Sequence, residues 1–162
     1  MRKVQRGNAS QFFVAGELCR RGYVAVVTMG NTPNTDILCS NVEGTKFLHI
    51  QVKTFKPKSR TCTVGKKSEN DYGENFIWVL CGLPEVDDDT PPEFYIIPSS
   101  EMSKQISRSH QEWLNGRPAK GRTRKDSGMR TVIIPPYTSS SGWSIEGYKG
   151  NWNVIENLLS TN

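Results

Sequence analysis

FLHIQVKTF, residues 47–55, sets Leu48, Ile50, Val52 and Thr54 on one face and Phe47, His49, Gln51, Lys53 and Phe55 on the other. This period-two alternation is that of a β-strand. On its N-terminal side, Asn41 to Lys46, with Gly44, supplies a turn, and a second strand begins at or just before Asp36 and runs through Ser40. GNTPN (residues 30–34) is turn chemistry, and the β-branched, apolar run from Tyr23 to Met29 before it predicts a further strand. Connections this short favour an antiparallel meander. Period two puts Gln51 and Lys53 on one face, and the antiparallel neighbour can bring Asp36 beside them.

Further out, residues 8–21 read as a helix: Asn8 or Ser10 can cap it, Val14, Ala15, Leu18, Cys19 and Phe12 form an apolar arc, and Gly22 stops it. Glu17 falls just off the edge of that arc. On the C-terminal side, FIWVLCG (76–82) is continuously apolar, as in a strand covered on both faces. The acidic turn PEVDDDTPPE leads to a strand at 94–98, a helix at about 101–114 capped by Ser99 or Ser100, a strand at 131–134 and a terminal helix at 151–160. No repeat or linker divides the chain, so residues 1–162 are expected to form a single domain, with a basic loop (115–130) and the C-terminal helix (151–160) as extensions.

Leu, Ile, Val and Phe make up roughly 22% of the chain, just above the fraction of about 20% below which disorder becomes the expectation. The longest uncharged apolar stretch, Phe76 to Leu83, is far short of a membrane span. No h-region follows the basic first residues, so a cytoplasmic protein without membrane association is expected. Four scattered cysteines (Cys19, Cys39, Cys62, Cys81) and two histidines argue against a zinc cage and read as packing residues. The tryptophans also read as packing residues, and His49 as packed or hydrogen-bonded.

The net charge of +5 hides two windows. Residues 53–67 hold six basic residues and no acid; residues 117–130 hold six, with Asp126 the one acid. Concentrated positive charge on an otherwise acidic body predicts a polyanion partner. The candidate phosphate contacts are Lys56, Lys58, Arg60, Lys66, Lys67, Arg117, Lys120, Arg122, Arg124, Lys125 and Arg130.

An acid, a side-chain amide oxygen and a lysine converging on one surface suit metal-assisted phosphodiester hydrolysis. Mg²⁺ wants hard oxygen ligands and takes one or two carboxylates plus water and phosphate, while a lysine adds a point charge. The ordered set of Glu17 in GNASQFFVAGELCRRGY, Asp36 in NTPNTDIL and Gln51-x-Lys53 in FLHIQVKTF resembles the PD-(D/E)XK nuclease superfamily, the restriction-endonuclease-like and Holliday-junction-resolvase-like fold, in an Asp…QxK variant. The resemblance covers most of residues 7–114. It implies an α/β fold with an αβββαβ core and a mixed central sheet flanked by helices.

It also implies a Mg²⁺-dependent endodeoxyribonuclease, with Mn²⁺ able to substitute, acting on double-stranded or branched DNA as a homodimer. Asp36 would be the central metal ligand, Gln51 would stand in for the usual acid, Val52 would offer its carbonyl, Lys53 would be the catalytic lysine and Glu17 an additional ligand. Two departures stand out: Pro33 is separated from Asp36 by Asn34 and Thr35, and Gln51 brings no charge. With Asp36 alone the site sets −1 against +2, which makes Glu17 the needed second acid. The geometric test is whether Asp36, Gln51 and Glu17 can share one cation. The alternatives are a non-catalytic nucleic-acid-binding module on the same fold and a basic subunit that docks an acidic protein.

Overall fold

The structure, a computed structural model, describes residues 1–29, 32–116 and 124–160. In chain order its elements are α1 (Lys3–Arg20), β1 (Val24–Val27), β2 (Ile37–Ser40), β3 (Phe47–Phe55), β4 (Thr61–Thr63), a 3₁₀ turn (Lys66–Glu69), β5 (Phe76–Gly82), β6 (Glu93–Pro98), α2 (Ser99–Asn115), β7 (Thr131–Ile133), a second 3₁₀ turn (Glu146–Tyr148) and α3 (Asn153–Leu159).

The main sheet has the order β1-β2-β3-β5-β6. β1, β2 and β3 form the expected antiparallel meander, β5 joins β3 in parallel, and β6 returns antiparallel along β5. The parallel step needs a crossover, and here it carries β4 and the first 3₁₀ turn. β4 pairs with distant β7 in a two-stranded sheet. The continuous apolar run of β5 is buried throughout, as a central strand with both faces covered must be.

Two cores lie on the two faces of this sheet. Val14, Ala15 and Leu18 of α1 and Ile155 and Leu159 of α3 pack against Ile37, Leu48, Ile50, Val52, Ile77 and Val79. On the opposite face, Met102 and Ile106 of α2, with Cys62 and Val132 of the small sheet, cover Phe55, Phe76, Trp78 and Leu80. The alternation along β3 thus sorts correctly: its even-numbered apolar residues face α1.

Helix α1 starts five residues before the expected Asn8. Lys3, Val4, Gln5 and Arg6 are adequate helix formers, the Gln5 side chain accepts the Arg2 N–H (3.2 Å), and Ser10, rather than capping, donates to Arg6 O one turn back. At the other end Gly22 adopts φ +91°, and the N–H groups of Gly22 and Tyr23 reach Cys19 O and Leu18 O, closing the helix with a glycine turn. Cys39, Cys62 and Cys81 are buried packing residues, and burial pushes the thiols of Cys39 and Cys62 up to about 12. Cys19 is exposed, contrary to expectation, because its position on α1 faces away from the sheet. Trp78 and Trp152 are core residues, whereas Trp113 is 43% exposed. No helix among the described residues is long and apolar enough to cross a membrane.

Candidate active site

Ile37 of β2 pairs with Ile50 of β3, so Asp36, one residue earlier, lies opposite Gln51. The main chain of Asp36 is fixed from both sides: its N–H donates to Ile50 O (2.9 Å) and its carbonyl accepts Thr28 N–H (2.9 Å). Thr28 Oγ1 also donates to Thr35 O (2.6 Å). There the β2–β3 ladder ends. Val52 N–H, next on that edge, donates to Asp36 Oδ2 (2.7 Å), so the carboxylate replaces the missing strand partner. Gln51 Nε2 donates to the same oxygen and lies 3.5 Å from Val52 O. The Asp36 carboxylate, the Gln51 amide and the Val52 carbonyl therefore meet where the two strands part.

Lys53 is two residues along on the face of Gln51, half-buried, with Nζ 6.0 Å from the centroid of Trp78. Trp78 pairs with Gln51 across the parallel ladder, and its buried indole N–H has no partner among the described residues. Desolvation raises the Asp36 carboxyl above the usual aspartate range, against the Val52 N–H, the Lys53 charge and the Gln51 amide, which lower it. His49 is hydrogen-bonded through Nδ1 to Thr35 Oγ1 (3.2 Å), beside the site.

Glu17 does not join this group. Helix α1 packs on the opposite face of the sheet, and Glu17 lies on its flank beside Phe94 of β6 and the Pro91-Pro92 turn, across the sheet from β2. Arg20 (2.8 Å) and Arg21 (2.9 Å) hold its carboxylate, and the Arg20 hydrogen bond above all keeps its pKa below the ordinary value. The expectation that Glu17 completes the ligand set is corrected. A helical wheel places a residue relative to its own apolar arc and leaves open which strand that flank overlies.

The donor set that remains is Asp36, the Gln51 amide and Val52 O. Among the described residues no three His, Cys, Asp or Glu side chains gather around a common point. Asp36 Oδ1 takes no hydrogen bond among the described residues, and the half-buried carboxylate stands to gain from a cation. Gln51 now turns its Nε2 toward Asp36, so ligation by its oxygen requires a half-turn of the amide. These are hard oxygen donors, and they fit Mg²⁺ if water and phosphate complete the shell.

The basic windows look different in three dimensions. Lys56 pairs with Glu85 (3.1 Å) and Lys66 with Asp126 (3.6 Å). Arg60 stacks 5.2 Å over Tyr137, and Arg124 lies 5.0 Å over Trp113. Lys58 and Lys125 are exposed. Arg130 is only 4% exposed and is bound to Glu69 and Asp126, so it is corrected from a phosphate contact to an internal ion pair. Arg117, Lys120 and Arg122 lie outside the described residues. Lys67 reaches Asn34 Oδ1 (2.9 Å), two residues before Asp36, a link between positions 33 apart that nothing in the sequence announces.

With this geometry in view, a solved structure of a bacterial homing endonuclease matches at a TM-score of 0.54 and 16% identity, covering 96% of this chain and 92% of that one. The fold is restriction-endonuclease-like. A Holliday junction resolvase from the archaeal hyperthermophile Archaeoglobus fulgidus matches at a TM-score of 0.44 and 14% identity, covering 78% of this chain and 83% of that one. No family model and no curated protein matches the chain. The antiparallel pairing within this sheet brings the start of β2 against the middle of β3.

Proposed function

We propose that the protein is a metal-dependent DNA endonuclease acting at the Asp36–Gln51–Lys53 surface. The observation that carries this reading is the meeting of Asp36, the Gln51 amide, the Val52 carbonyl and Lys53 on one sheet face where β2 and β3 separate. The fold shared with a homing endonuclease supports it. Asp36, Gln51 and Val52 would hold Mg²⁺, or Mn²⁺ in its place, and the cation when bound would supply Lewis-acid polarisation of the phosphate. Lys53 holds a phosphate oxygen or the attacking water by charge. Water adds across a P–O bond, leaving a phosphate on one end and a hydroxyl on the other. Two copies of the chain would serve the two strands of double-stranded or branched DNA.

The test is cleavage of plasmid, branched and single-stranded DNA with Mg²⁺ or Mn²⁺. The native protein cuts at least one of them, and Asp36→Ala and Lys53→Ala abolish the cutting. A native protein that cuts nothing the two variants leave intact overturns the proposal.

One observation favours a second reading, a nucleic-acid-binding module without catalysis: Arg20 and Arg21 already neutralise Glu17, leaving the site a single carboxylate. Calorimetric titration separates the two. The enzyme takes up Mg²⁺ or Mn²⁺ when duplex DNA supplies further oxygen ligands, whereas the binding module binds DNA with no metal uptake at any stage.

A further inference from the structure

Arg130 ends the second basic window, yet its guanidinium is spent inside the protein. Nε donates to Glu69 Oε1 (2.6 Å), Nη2 to Asp126 Oδ1 (3.1 Å) and Nη1 to Met129 O (3.0 Å). Its carbonyl accepts Val64 N–H (2.8 Å), and Gly128 O accepts Lys66 N–H (3.0 Å). The segment 126–130 therefore grips the chain at 64–69 through main chain and side chain together. Glu69 closes the 3₁₀ turn Lys66–Glu69, and its carbonyl accepts Ser103 Oγ of α2 (2.9 Å). The two lysines of that turn go separate ways: Lys66 toward Asp126, Lys67 toward Asn34 beside the Asp36 site. Lys67 is exposed and its ammonium has three donors, of which Asn34 takes one.

From this geometry we infer that Lys67 is a second phosphate contact at the Asp36 site, and that Arg130 and Glu69 are positioning residues that hold it there. The inference rests on the nuclease reading for the place of the phosphate, next to the one that is cut. Lys53 approaches from the floor of the sheet and Lys67 from the turn at the end of β4, so a backbone crossing between them meets a cation on each side. The buried Arg130–Glu69 pair contributes through rigidity: with Glu69 fixed, the turn does not have to be ordered when DNA binds. Lysine in place of Arg130 cannot span Glu69, Asp126 and the carbonyls with one planar fork.

The experiment measures binding of a short synthetic duplex, without divalent metal, by fluorescence anisotropy between about 50 and 200 mM salt. Lys67→Ala weakens binding roughly three- to tenfold and reduces the slope of log K against log salt by about one. Glu69→Gln and Arg130→Lys reproduce that loss, and Arg130→Lys combined with Lys67→Ala is no worse than Lys67→Ala alone. In cleavage the same variants raise KM and leave kcat within about twofold. Glu69→Gln keeps the test alive if the Arg130 variants fail to fold. A slope unchanged by Lys67→Ala, additive losses in the double variant, or Arg130 and Glu69 variants that lose thermal stability with the slope intact would each overturn the inference. A native protein that cuts DNA while Lys67→Ala leaves slope and KM unchanged defeats this inference alone. A native protein that cuts nothing, with the slope effect intact, defeats the nuclease reading and leaves Lys67 as a phosphate contact.

Discussion

Asp36 is held by two opposing demands. Its carboxylate is half-buried, which penalises charge, yet it completes the main-chain hydrogen bonding that β2 abandons at Val52. Because burial raises its pKa, the folded state holds the proton more tightly than the unfolded chain does. The stabilisation this gives is full below the ordinary aspartate value and is lost as pH rises through the folded value. Asp36→Asn keeps an acceptor for Val52 N–H and discards the charge. The variant is therefore expected to melt a few degrees above the native protein at neutral pH without metal, about 1 kcal/mol being worth about 2–4 °C in a chain of this size. It should also lose any cleavage activity, and calorimetry beside a plasmid assay checks both halves; a lower melting temperature at pH 7 contradicts the account. Gln51→Glu runs the other way. Two carboxylates in contact repel and force one to stay protonated, so this variant melts lower without metal and recovers more than the native protein does when Mg²⁺ is added. Titration calorimetry should show its Mg²⁺ affinity improved by at least about tenfold, because the second negative charge meets ligands that already converge. An affinity left unchanged places the metal elsewhere. That Asp36, Gln51 and Lys53 share one face was legible in the sequence, because strand period and a short antiparallel turn fix both face and register. Glu17 was not: its i,i+3 and i,i+4 partners Arg20 and Arg21 follow from helix spacing, but a helical wheel leaves open which strand that flank overlies.

β3, which holds Gln51, Val52 and Lys53, and its parallel neighbour β5 were legible to the residue, their bounds matching the apolar pattern at both ends. β4 went unread: Thr61–Thr63 is three residues long and set among lysines, and it exists because Val132 and Thr131, some seventy positions on, pair with Cys62 and Thr63. Sequence patterns report local alternation, and this strand is a long-range pairing with almost no local signal. The end of β5 shows the same dependence on distant contacts. Gly82 sits where a Cβ would come within 2.7 Å of the Phe55 ring and 2.6 Å of Glu93 Cγ. Phe55 is a core residue closing β3 beyond Lys53, so overpacking there pushes on the strand that holds the site. Gly82→Ala is expected to destabilise the fold by about 1–3 kcal/mol, read as a lower denaturation midpoint with an unchanged denaturant slope. Trimming the neighbour in Gly82→Ala/Phe55→Leu should return part of that loss; a double variant no better than the single one would place the strain elsewhere.

The charge of the whole chain illustrates how far a linear reading carries. Two basic windows stand out on an acidic body in the sequence, but acids distant in sequence fold back onto the described part of them. Glu85 meets Lys56, Arg6 and the N-terminus, which hold its carboxyl down at about 2. Asp126 and Glu69 absorb Lys66 and Arg130. A cation committed to a carboxylate of the protein neutralises little phosphate charge and so releases few of the counterions condensed on DNA. Lys58, exposed at the positive-φ position of its turn (φ +65°), forms no ion pair among the described residues, its charge only helping to lower the Asp88 carboxyl. Arg60, also without an ion pair among the described residues, lays its guanidinium on the Tyr137 ring. Removing each kind of cation should therefore have different consequences although the two kinds alternate within a few residues of chain. Lys58→Ala and Arg60→Ala are each expected to reduce the salt slope of duplex binding by about one, while Lys56→Ala and Lys66→Ala leave it nearly unchanged. The Lys56–Glu85 pair, unlike Arg130–Glu69, is exposed and individually weak, and DNA that outbids Glu85 for Lys56 overturns this expectation. In that case Lys56→Ala would lower the slope as much as Lys58→Ala does, and anisotropy titrations at several salt concentrations would show the pairs opening when the polyanion arrives.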